Sequence, residues 1–305
     1  MKIGALRITI IFAMGLTGAF ASPAHADSSS PLLAAYYDRQ IAIIEGNTYA
    51  WRGDGTPQQI PYRATQVGVG DDSNYLLSVD GTLFRFDNDN FDKPRTLKKE
   101  ILRFAAGDTG ALAIDKSNTL WWIASGTRKA QKISDDVKNA AVGDGANYYV
   151  MQSGDLYVKG KAHRGQYGNG TLERTDKFIR TATNVSYITA HTGHAILLKT
   201  NGDVLETGGN IYGPVGKHGL GDKAIRWSKI VGGAKAIATG SSHTVAILND
   251  NTLVAWGSEY GTDPKPVLKN VTDVAASSNT TIALRKDGSL WQWDRGAKPR
   301  RIHLK

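Results

Sequence analysis

The chain of 305 residues contains no cysteine. That absence excludes a disulfide scaffold, a zinc site with Cys ligands, a thiol nucleophile and a cysteine-linked lipid anchor. Charged residues make up only 21% of the chain and hydrophobic residues an ordinary 41%. This composition is neither that of a disordered chain nor that of an integral membrane protein. Helical periodicity is lacking after the first 26 residues, so we expect a packed core built from strands.

The first 26 residues resemble an export signal. Lys2 and Arg7 are followed by an apolar stretch from Ile8 to Phe20, and then by Ala24-His25-Ala26. A basic start, a short apolar middle and an A-x-A end are typical of a secretory signal peptide. We therefore predict a signal peptide over 1–26, a single mature domain over 27–305 and a periplasmic or secreted location.

Positive charge is in excess, with 37 Lys and Arg against 28 Asp and Glu, a formal charge of +9. Removing Lys2 and Arg7 with the signal leaves 35 − 28 = +7. Many of the basic residues follow the aromatic strands described below, where we expect a solvated outer rim that discourages edge pairing. The alternative is attraction to a glycan or an anionic envelope component. The residues of this basic belt are Lys93, Arg95, Lys98, Lys99, Arg128, Lys129, Lys132, Lys265, Lys269, Lys298, Arg300 and Arg301.

One pattern recurs seven times along the mature sequence. An apolar residue follows a pair suited to a tight turn, such as Asp80-Gly81, Asn201-Gly202 or Asp287-Gly288. Gly, Asn and Asp tolerate the positive φ that two-residue hairpin loops need. The spacing between successive apolar anchors is 34 to 49 residues. The anchors are Tyr49, Leu83, Leu120, Leu156, Val204, Leu253 and Leu290.

The segments around each anchor predict small sheets arranged about an axis. A short apolar strand enters each hairpin, and in all but one repeat the strand leaving it carries aromatic residues. Upstream lies a third segment that ends in small residues, such as Phe104-Ala105-Ala106-Gly107, as expected where strands crowd together near a centre. We predict an all-β, seven-bladed β-propeller with short blades.

The ends of the mature chain together make up one repeat. The segment before the first anchor has 22 residues and the segment after the last has 15, which sum to 37. We therefore expect the strand around Arg301–Leu304 to complete the blade begun by the N-terminal strands, so that pairing of the two termini closes the ring.

The repeats resemble those of the regulator of chromosome condensation (RCC1-like) family. The resemblance rests on Ala190–Leu197 with Asn201–Val204, on Ala238–Ile247 with Thr252–Gly257, and on two long loops, Gly160–Gly170 and Gly209–Gly216. It implies a seven-bladed propeller that serves as a protein-binding surface. The layout is similar to that of secreted bacterial members that inhibit β-lactamases. Those members carry an aromatic residue just before the repeat histidine, whereas Gly193 and Ser242 stand there in this chain. A second, weaker resemblance is to tectonin-like lectin propellers.

The connections that follow the small-residue segments predict a binding face. Blade symmetry brings equivalent positions to one end of the ring, and a mixture of Tyr, Asn, Ser and charged side chains suits protein recognition. Asp71, Asp108 and Asp144 could also form an acidic arc, with Asp72 as a fourth charge, that binds a basic partner or a weak cation. Alternatively, each of them could simply close its own turn. The alternative binding surface is the face that carries the two long loops. The predicted partner-binding residues are Tyr36, Tyr37, Arg39, Asp71, Asp72, Asn74, Asp108, Asp144, Asn147, His191, Ser241 and Asn279.

Signals of catalysis are absent. The sequence has no Gly-x-Ser-x-Gly elbow, no phosphate-cradling loop and no histidines at metal-ligand spacing. His194 and His243 begin core strands, where we expect structural roles. We therefore expect a monomeric, non-enzymatic protein that binds another protein, without cofactor, metal, nucleic acid or membrane span. One form of this function is inhibition of an extracytoplasmic enzyme. A carbohydrate-binding lectin and a lyase or hydrolase centred on the channel remain alternatives.

Overall fold

A computed structural model describes most of the chain beyond the predicted signal. The described residues are 32–70, 73–87, 90–107, 110–124, 126, 127, 129–210, 222–294 and 296–304. The predicted signal peptide lies outside this part of the chain and stays a prediction. None of the described segments forms a helix with the length and apolar character needed to cross a membrane.

Twenty-eight strands form seven sheets of four antiparallel strands each, and the predicted seven-bladed propeller is confirmed. In every sheet the four strands are consecutive in the chain, and we name them a to d in that order. A 3₁₀ turn, Ser258–Tyr260, precedes β24. The strands are β1 Leu33–Tyr36, β2 Arg39–Ile44, β3 Asn47–Arg52 and β4 Gln58–Ile60 in blade 1; β5 Ala64–Val69, β6 Ser73–Ser78, β7 Leu83–Asp87 and β8 Arg95–Lys98 in blade 2; β9 Ile101–Gly107, β10 Gly110–Asp115, β11 Leu120–Ala124 and β12 Ala130–Ser134 in blade 3; β13 Val137–Val142, β14 Ala146–Met151, β15 Leu156–Gly160 and β16 Thr175–Ala182 in blade 4; β17 Val185–His191, β18 His194–Lys199, β19 Val204–Gly209 and β20 Lys223–Val231 in blade 5; β21 Ala234–Thr239, β22 His243–Leu248, β23 Leu253–Gly257 and β24 Gly261–Leu268 in blade 6; β25 Val271–Ser277, β26 Thr280–Arg285, β27 Leu290–Asp294 and β28 Arg300–Ile302 in blade 7.

The a strands surround the axis and line a central cavity of about 210 Å³. Their crowding explains the small residues seen in the sequence. A Cβ placed on Gly107 would lie 2.3 Å from Cγ1 of Val142 in the next blade, and one placed on Gly68 would lie 2.6 Å from Cε2 of Phe104. Such separations are far below van der Waals contact, so these two positions require glycine for the neighbouring strands to approach.

The hydrophobic core consists of seven clusters, each between two neighbouring blades. Strands b and c supply most of these residues, because both of their faces are covered by adjacent blades. The basic belt follows the outer d strands as predicted, with Arg95 and Lys98 in β8, Lys132 in β12 and Arg300 in β28. Arg128 lies outside the described residues.

The predicted pairing of the N- and C-terminal strands is wrong. Strand β28 pairs with β27 of its own blade, with Ile302 opposite Leu290, and β1 pairs with β2. Each terminal blade already holds four strands of its own, so neither needs a strand from the other end of the chain. The count of 37 residues is compatible with both arrangements, because it does not specify where in the repeat a blade begins.

The ring is closed instead by packing of blade 7 against blade 1. Leu33 and Trp51 of blade 1 share a buried cluster with Ile302 of blade 7. The indole Nε1 of Trp51 donates to Oε1 of Gln292 across this junction at 2.9 Å. The closure therefore depends on side chains rather than on a shared sheet.

Asp273 provides the polar part of this closure. Its Oδ2 accepts a hydrogen bond from the backbone N–H of Leu32 at 3.0 Å, its Oδ1 accepts from Val274 at 2.8 Å, and the N–H of Leu33 also donates to the carboxyl group. Burial raises the pKa of Asp273 well above its usual range, and the three backbone donors oppose that rise. Gln66 and Asn139 occupy the same register in blades 2 and 4, and they bond the backbone of Phe104 and Ile188 in the following blades. We call these three side chains the inter-blade clamps.

Removing the clamp at the closure should destabilise the whole ring. The Asp273→Ala variant leaves the N–H groups of Leu32 and Leu33 without their acceptor, and each such loss costs about 1–3 kcal/mol. We expect the free energy of unfolding in urea to fall by roughly 2–4 kcal/mol. Asp92→Ala, at an exposed loop position, is the control and should change it by less than about 0.5 kcal/mol. Equal stability of D273A and D92A would show that hydrophobic packing alone closes the ring.

Candidate binding face

The blade topology places two sets of connections at the same end of the ring. Because the four strands of a blade are antiparallel and consecutive, the a–b turns and the c–d loops both emerge at one axial face. We name this the a–b face. The b–c hairpins and the links between blades lie at the opposite face. The long-loop face and the a–b turns, which the sequence offers as alternative binding surfaces, are one surface in the structure.

Contacts between the two sets of loops support this placement. In blade 1, the N–H of Gly53 donates to the carbonyl of Asp38 at 2.6 Å. In blade 4, Lys161 Nζ lies 3.1 Å from Oδ1 of Asp144, which joins the start of the c–d loop to the a–b turn. Both partners of that ion pair are exposed, so it contributes little to stability.

Aromatic side chains from opposite sides of the ring meet at the mouth of the channel on the a–b face. The rings of Tyr36 in blade 1 and His191 in blade 5 are stacked with centroids 5.9 Å apart. Tyr37 packs edge-on against Tyr36 at 4.9 Å and is 58% exposed. A pocket of about 180 Å³ lies beside this group, with Asp144 and Thr192 on its wall. The mouth thus offers rigid aromatic area with polar groups around it, as protein-binding surfaces do.

His191 is neutral at pH 7. Burial lowers the pKa of His191, and the nearby Asp144 carboxylate only partly opposes the shift. Its Nδ1 lies 2.5 Å from Oγ1 of Thr192 and 3.4 Å from Oγ of Ser241. The ring is therefore oriented by blade 5 and blade 6 together, as expected for a preformed contact surface.

The predicted partner-binding residues fall into four groups, of which Arg39 and Asn74 form the fourth. Tyr36, His191 and Ser241 meet at the channel mouth with Tyr37 beside them, and Asp144 lines the pocket. Asn147 and Asn279 are half-buried, and the amide of Asn279 accepts from the hydroxyl of Ser242. The residues that lie outside the described part of the chain are Asp71, Asp72 and Asp108. The acidic arc therefore stays a prediction.

Arg39 and Asn74 are corrected. They are only 5% and 1% exposed and cannot present their side chains to a partner. The guanidinium of Arg39 donates through Nη2 to the carbonyl of Gly70 in blade 2, so it holds two blades together. Arg39 is the first residue of β2 and Asn74 the second residue of β6, and both faces of these b strands are covered by neighbouring blades.

The long loop of blade 4 is a brace rather than a free binding loop. Tyr167, a residue of this loop, is fully buried and donates its hydroxyl to the carbonyl of Gly160 at 2.5 Å. The loop then reaches blade 5, where the hydroxyl of Thr207 donates to the carbonyl of Gly165 at 2.8 Å. The second long loop falls on residues 211–221, outside the described residues.

The two repeat histidines tie blades together. Nε2 of His194 lies 2.6 Å from the hydroxyl of Thr239 in blade 6, and Nε2 of His243 lies 2.8 Å from the hydroxyl of Thr281 in blade 7. Burial lowers the pKa of His194 to about 3, so its ring is neutral. Within the described ranges, no group of three or more His, Asp or Glu side chains is arranged to hold a metal ion.

A buried carboxyl lies between blades 5 and 6, away from the channel mouth. Glu206 in β19 is fully buried, and the indole of Trp256 donates to its Oε2 at 3.0 Å. Burial raises the pKa of Glu206 to about 8, with hydrogen bonds from Trp256 and Thr244 opposing the shift. Glu206 is therefore mostly protonated at pH 7.

Comparisons with known proteins agree with this geometry. The profile of the regulator of chromosome condensation (RCC1) repeat matches residues 234–260, which run from β21 to the 3₁₀ turn of blade 6. The structure of Prp20p from Saccharomyces cerevisiae superposes with a TM-score of 0.72 at 18% identity, over 84% of this chain and 83% of that chain. A structure of Kap60 bound to yeast RCC1 (Prp20) gives 0.75 at 14% identity, over 98% and 92%.

This chain is a seven-bladed β-propeller that resembles RCC1-type propellers. Human E3 ubiquitin-protein ligase HERC2 is 26% identical to it over 198 residues, or 55% of this chain. The matched region is only 4% of the length of HERC2. The likeness therefore concerns a small part of HERC2 and not the activity of the whole ligase. The likeness to Prp20p, at 18% identity, shows the fold alone.

The inter-blade polar contacts of this propeller are not among the expectations drawn from the sequence. Gln66, Asn139 and Asp273 occupy the same register of three a strands, and that shared position was the available signal. Glu206 gave no signal, because its neighbours in the sequence do not show that β22 and β23 of the next blade cover it.

Replacing Glu206 with its neutral isostere should remove part of the pH dependence of stability. Because the folded-state pKa of about 8 exceeds the unfolded value of about 4.3, the folded state binds the extra proton. Its stabilising effect is complete below about pH 4.3 and is lost as the pH rises through 8. Glu206→Gln keeps an acceptor for Trp256, so its stability relative to wild type should increase between pH 5 and pH 8 by an amount on the order of 3 kcal/mol.

Urea unfolding at several pH values measures this difference. Glu173→Gln, at an exposed loop position, is the matched control and should show no such trend. A constant difference between E206Q and wild type across this range would mean that the carboxyl is already ionised in the folded protein.

Proposed function

We propose that this RCC1-like propeller is an exported, non-enzymatic protein that binds another protein through its a–b face, with inhibition of an extracytoplasmic enzyme as one form of this role. The observation that carries the proposal is the stack of Tyr36 and His191 across the channel mouth, with Tyr37 exposed beside it. An exposed tyrosine supplies a large contact area at a small entropic cost, because it has few rotatable bonds.

Two further observations support a protein as the partner. The a–b turns and the c–d loops share this face, so the surface around the mouth is wide enough for a protein rather than only a small ligand. Structural neighbours also bind proteins: Prp20p is described with its binding to Gsp1p and histones, and yeast RCC1 has been crystallised with Kap60. The partner of this chain is to be sought in an envelope or secreted fraction.

Substitution of Tyr37 tests the face directly. Its φ is 49°, so Asn, which tolerates positive φ, is the suitable replacement. The backbone N–H of residue 37 keeps its 2.8 Å bond to Ser277 Oγ. We expect Tyr37→Asn to raise the Kd for the captured protein about tenfold or more, the effect typical of an aromatic at the centre of an interface.

The matched control is Val79→Asn, which alters a 73% exposed apolar residue in a b–c hairpin at the opposite face. V79N should capture the partner as wild type does. Loss of binding in V79N but not in Y37N would place the interface on the other face. Retention on a glycan array, competed by simple sugar, would favour the lectin alternative, and turnover of a substrate would favour the enzyme.

Export makes a separate prediction. We expect the mature protein recovered from the periplasm or medium of an exporting host to begin at Asp27, because cleavage follows Ala24-His25-Ala26. Intact mass measures the new N-terminus, and Ala26→Asp should block processing there. A product that retains Met1 in the cytoplasm would contradict export without bearing on the binding face.

A further inference from the structure

The outermost strands carry the whole net charge of the protein. The seven d strands contain 11 Lys and Arg and only two Asp, a net charge of +9. The rest of the sequence is neutral, with 37 − 11 = 26 Lys and Arg and 28 − 2 = 26 Asp and Glu. We name the basic side chains of the d strands the rim cations: Arg95, Lys98, Lys132, Lys177, Arg180, Lys223, Arg226, Lys229, Lys265, Arg300 and Arg301.

The rim cations are spread around the ring and not gathered on one side. Six of the seven blades contribute at least one, and the exception is blade 1, whose β4 strand has no charged residue. Each d strand is the edge strand at the end of its sheet that lies farthest from the channel. The outer wall of blades 2–7 is therefore positively charged, and it is a different surface from the a–b face.

The protein pairs only some of these charges. Salt bridges join five of the rim cations to acids of the chain, as Lys229 joins Asp203 at 2.6 Å. The other six form no salt bridge with a described residue: Lys98, Lys177, Lys223, Arg226, Lys265 and Arg301. Water hydrates such surface charges, so none of them requires a ligand by itself. Their summed field nevertheless attracts a large anion to the wall.

Protection of the strand edges does not explain this distribution. One charged side chain on a short edge strand discourages pairing with another chain. Strand β20 carries three positive charges in nine residues, whereas the equally exposed edge of β4 carries none. The number of the rim cations and their shared sign therefore indicate a negatively charged partner.

We propose that the outer wall of blades 2–7 binds a linear anionic polysaccharide, a flexible chain with repeated carboxylates that follows the rim from blade to blade. A domain of this size is about 50 Å across, so a flat membrane reaches only one or two blades at once. A DNA duplex, with a persistence length of about 500 Å, resists bending around so small a ring. A flexible chain contacts several blades together, and each contact raises the effective concentration of its sugars at the next. The site does not depend on protein binding at the a–b face.

Binding of polygalacturonate to the immobilised full-length mature protein tests the proposal. At an ionic strength of about 0.15 M, isolated surface charges are screened beyond about 8 Å, so weak attraction to net charge alone is suppressed. We expect the long chain to bind at least about tenfold more tightly, per sugar residue, than trigalacturonate, which is too short to join several blades. Uncharged dextran should not bind.

Two double variants remove charges from different sides of the ring. Lys177→Gln with Arg226→Gln alters blades 4 and 5, and Lys265→Gln with Arg301→Gln alters blades 6 and 7. All four side chains are exposed and outside the salt bridges of the described residues, so both variants should fold as wild type does. Each should raise the Kd for polygalacturonate about threefold or more.

The matched control is Lys116→Gln with Lys286→Gln, which removes the same two charges from exposed b–c hairpins. K116Q/K286Q should bind polygalacturonate as wild type does. Equal weakening in the control and the rim variants would show attraction to net charge alone, and an effect of only one rim variant would show a local site; either result overturns the proposal.

The wild-type protein also distinguishes the classes of partner. Vesicles of phosphatidylglycerol and duplex DNA should bind more weakly than polygalacturonate at the same ionic strength. Tighter binding of either one would assign the outer wall to that partner and overturn the proposal. Failure of the wild-type protein to bind polygalacturonate would also overturn it and leave the rim cations as solvated edge charges.

Discussion

The close approach of the seven a strands around the axis is the constraint on which the rest of the structure depends. Glycine at positions such as Gly68 and Gly107 lets each a strand lie against the next, where any Cβ would overlap a neighbouring side chain. That proximity leaves backbone groups facing the junctions between blades, and the clamps Gln66, Asn139 and Asp273 satisfy several of them. The close approach of the a strands therefore requires both small residues and side chains that satisfy the backbone groups buried between blades.

The same constraint explains how the ring closes. Each blade takes its four strands from one continuous stretch of the chain, so no blade is shared between the two termini. The contacts between blades 7 and 1 must therefore hold the ring as firmly as the contacts between blades that the chain connects directly. This junction consists of a buried cluster of side chains, an indole-to-amide bond and a clamp. Loss of any one junction exposes the apolar faces of the two blades that meet there.

The direction of the strands determines which connections form the proposed binding face. Strands a and c of each blade run in the same direction. The a–b turns and the c–d loops therefore emerge together at the a–b face. Residues from blades 1, 5 and 6 that are distant in the chain thereby meet at the channel mouth, where Tyr36 stacks on His191. Arg103 lies on the wall of the central cavity towards the opposite end, so the two ends of the channel differ in the side chains that they carry.

The sequence by itself determined the seven repeats, the order of strands within each and the positions of the hairpin turns, because these follow from local preferences: alternation of apolar residues, turn residues that accept positive φ, and small residues at crowded positions. Only the tertiary structure decided which terminal strand pairs with which, that Arg39 and Asn74 are buried, and that Asp273 and Glu206 are enclosed. Those properties depend on which blade lies alongside, and the neighbours of a residue across a junction are typically 30 to 50 positions away, or at the other end of the chain. A pattern within a few neighbouring residues therefore carries no information about which side chains meet across a junction.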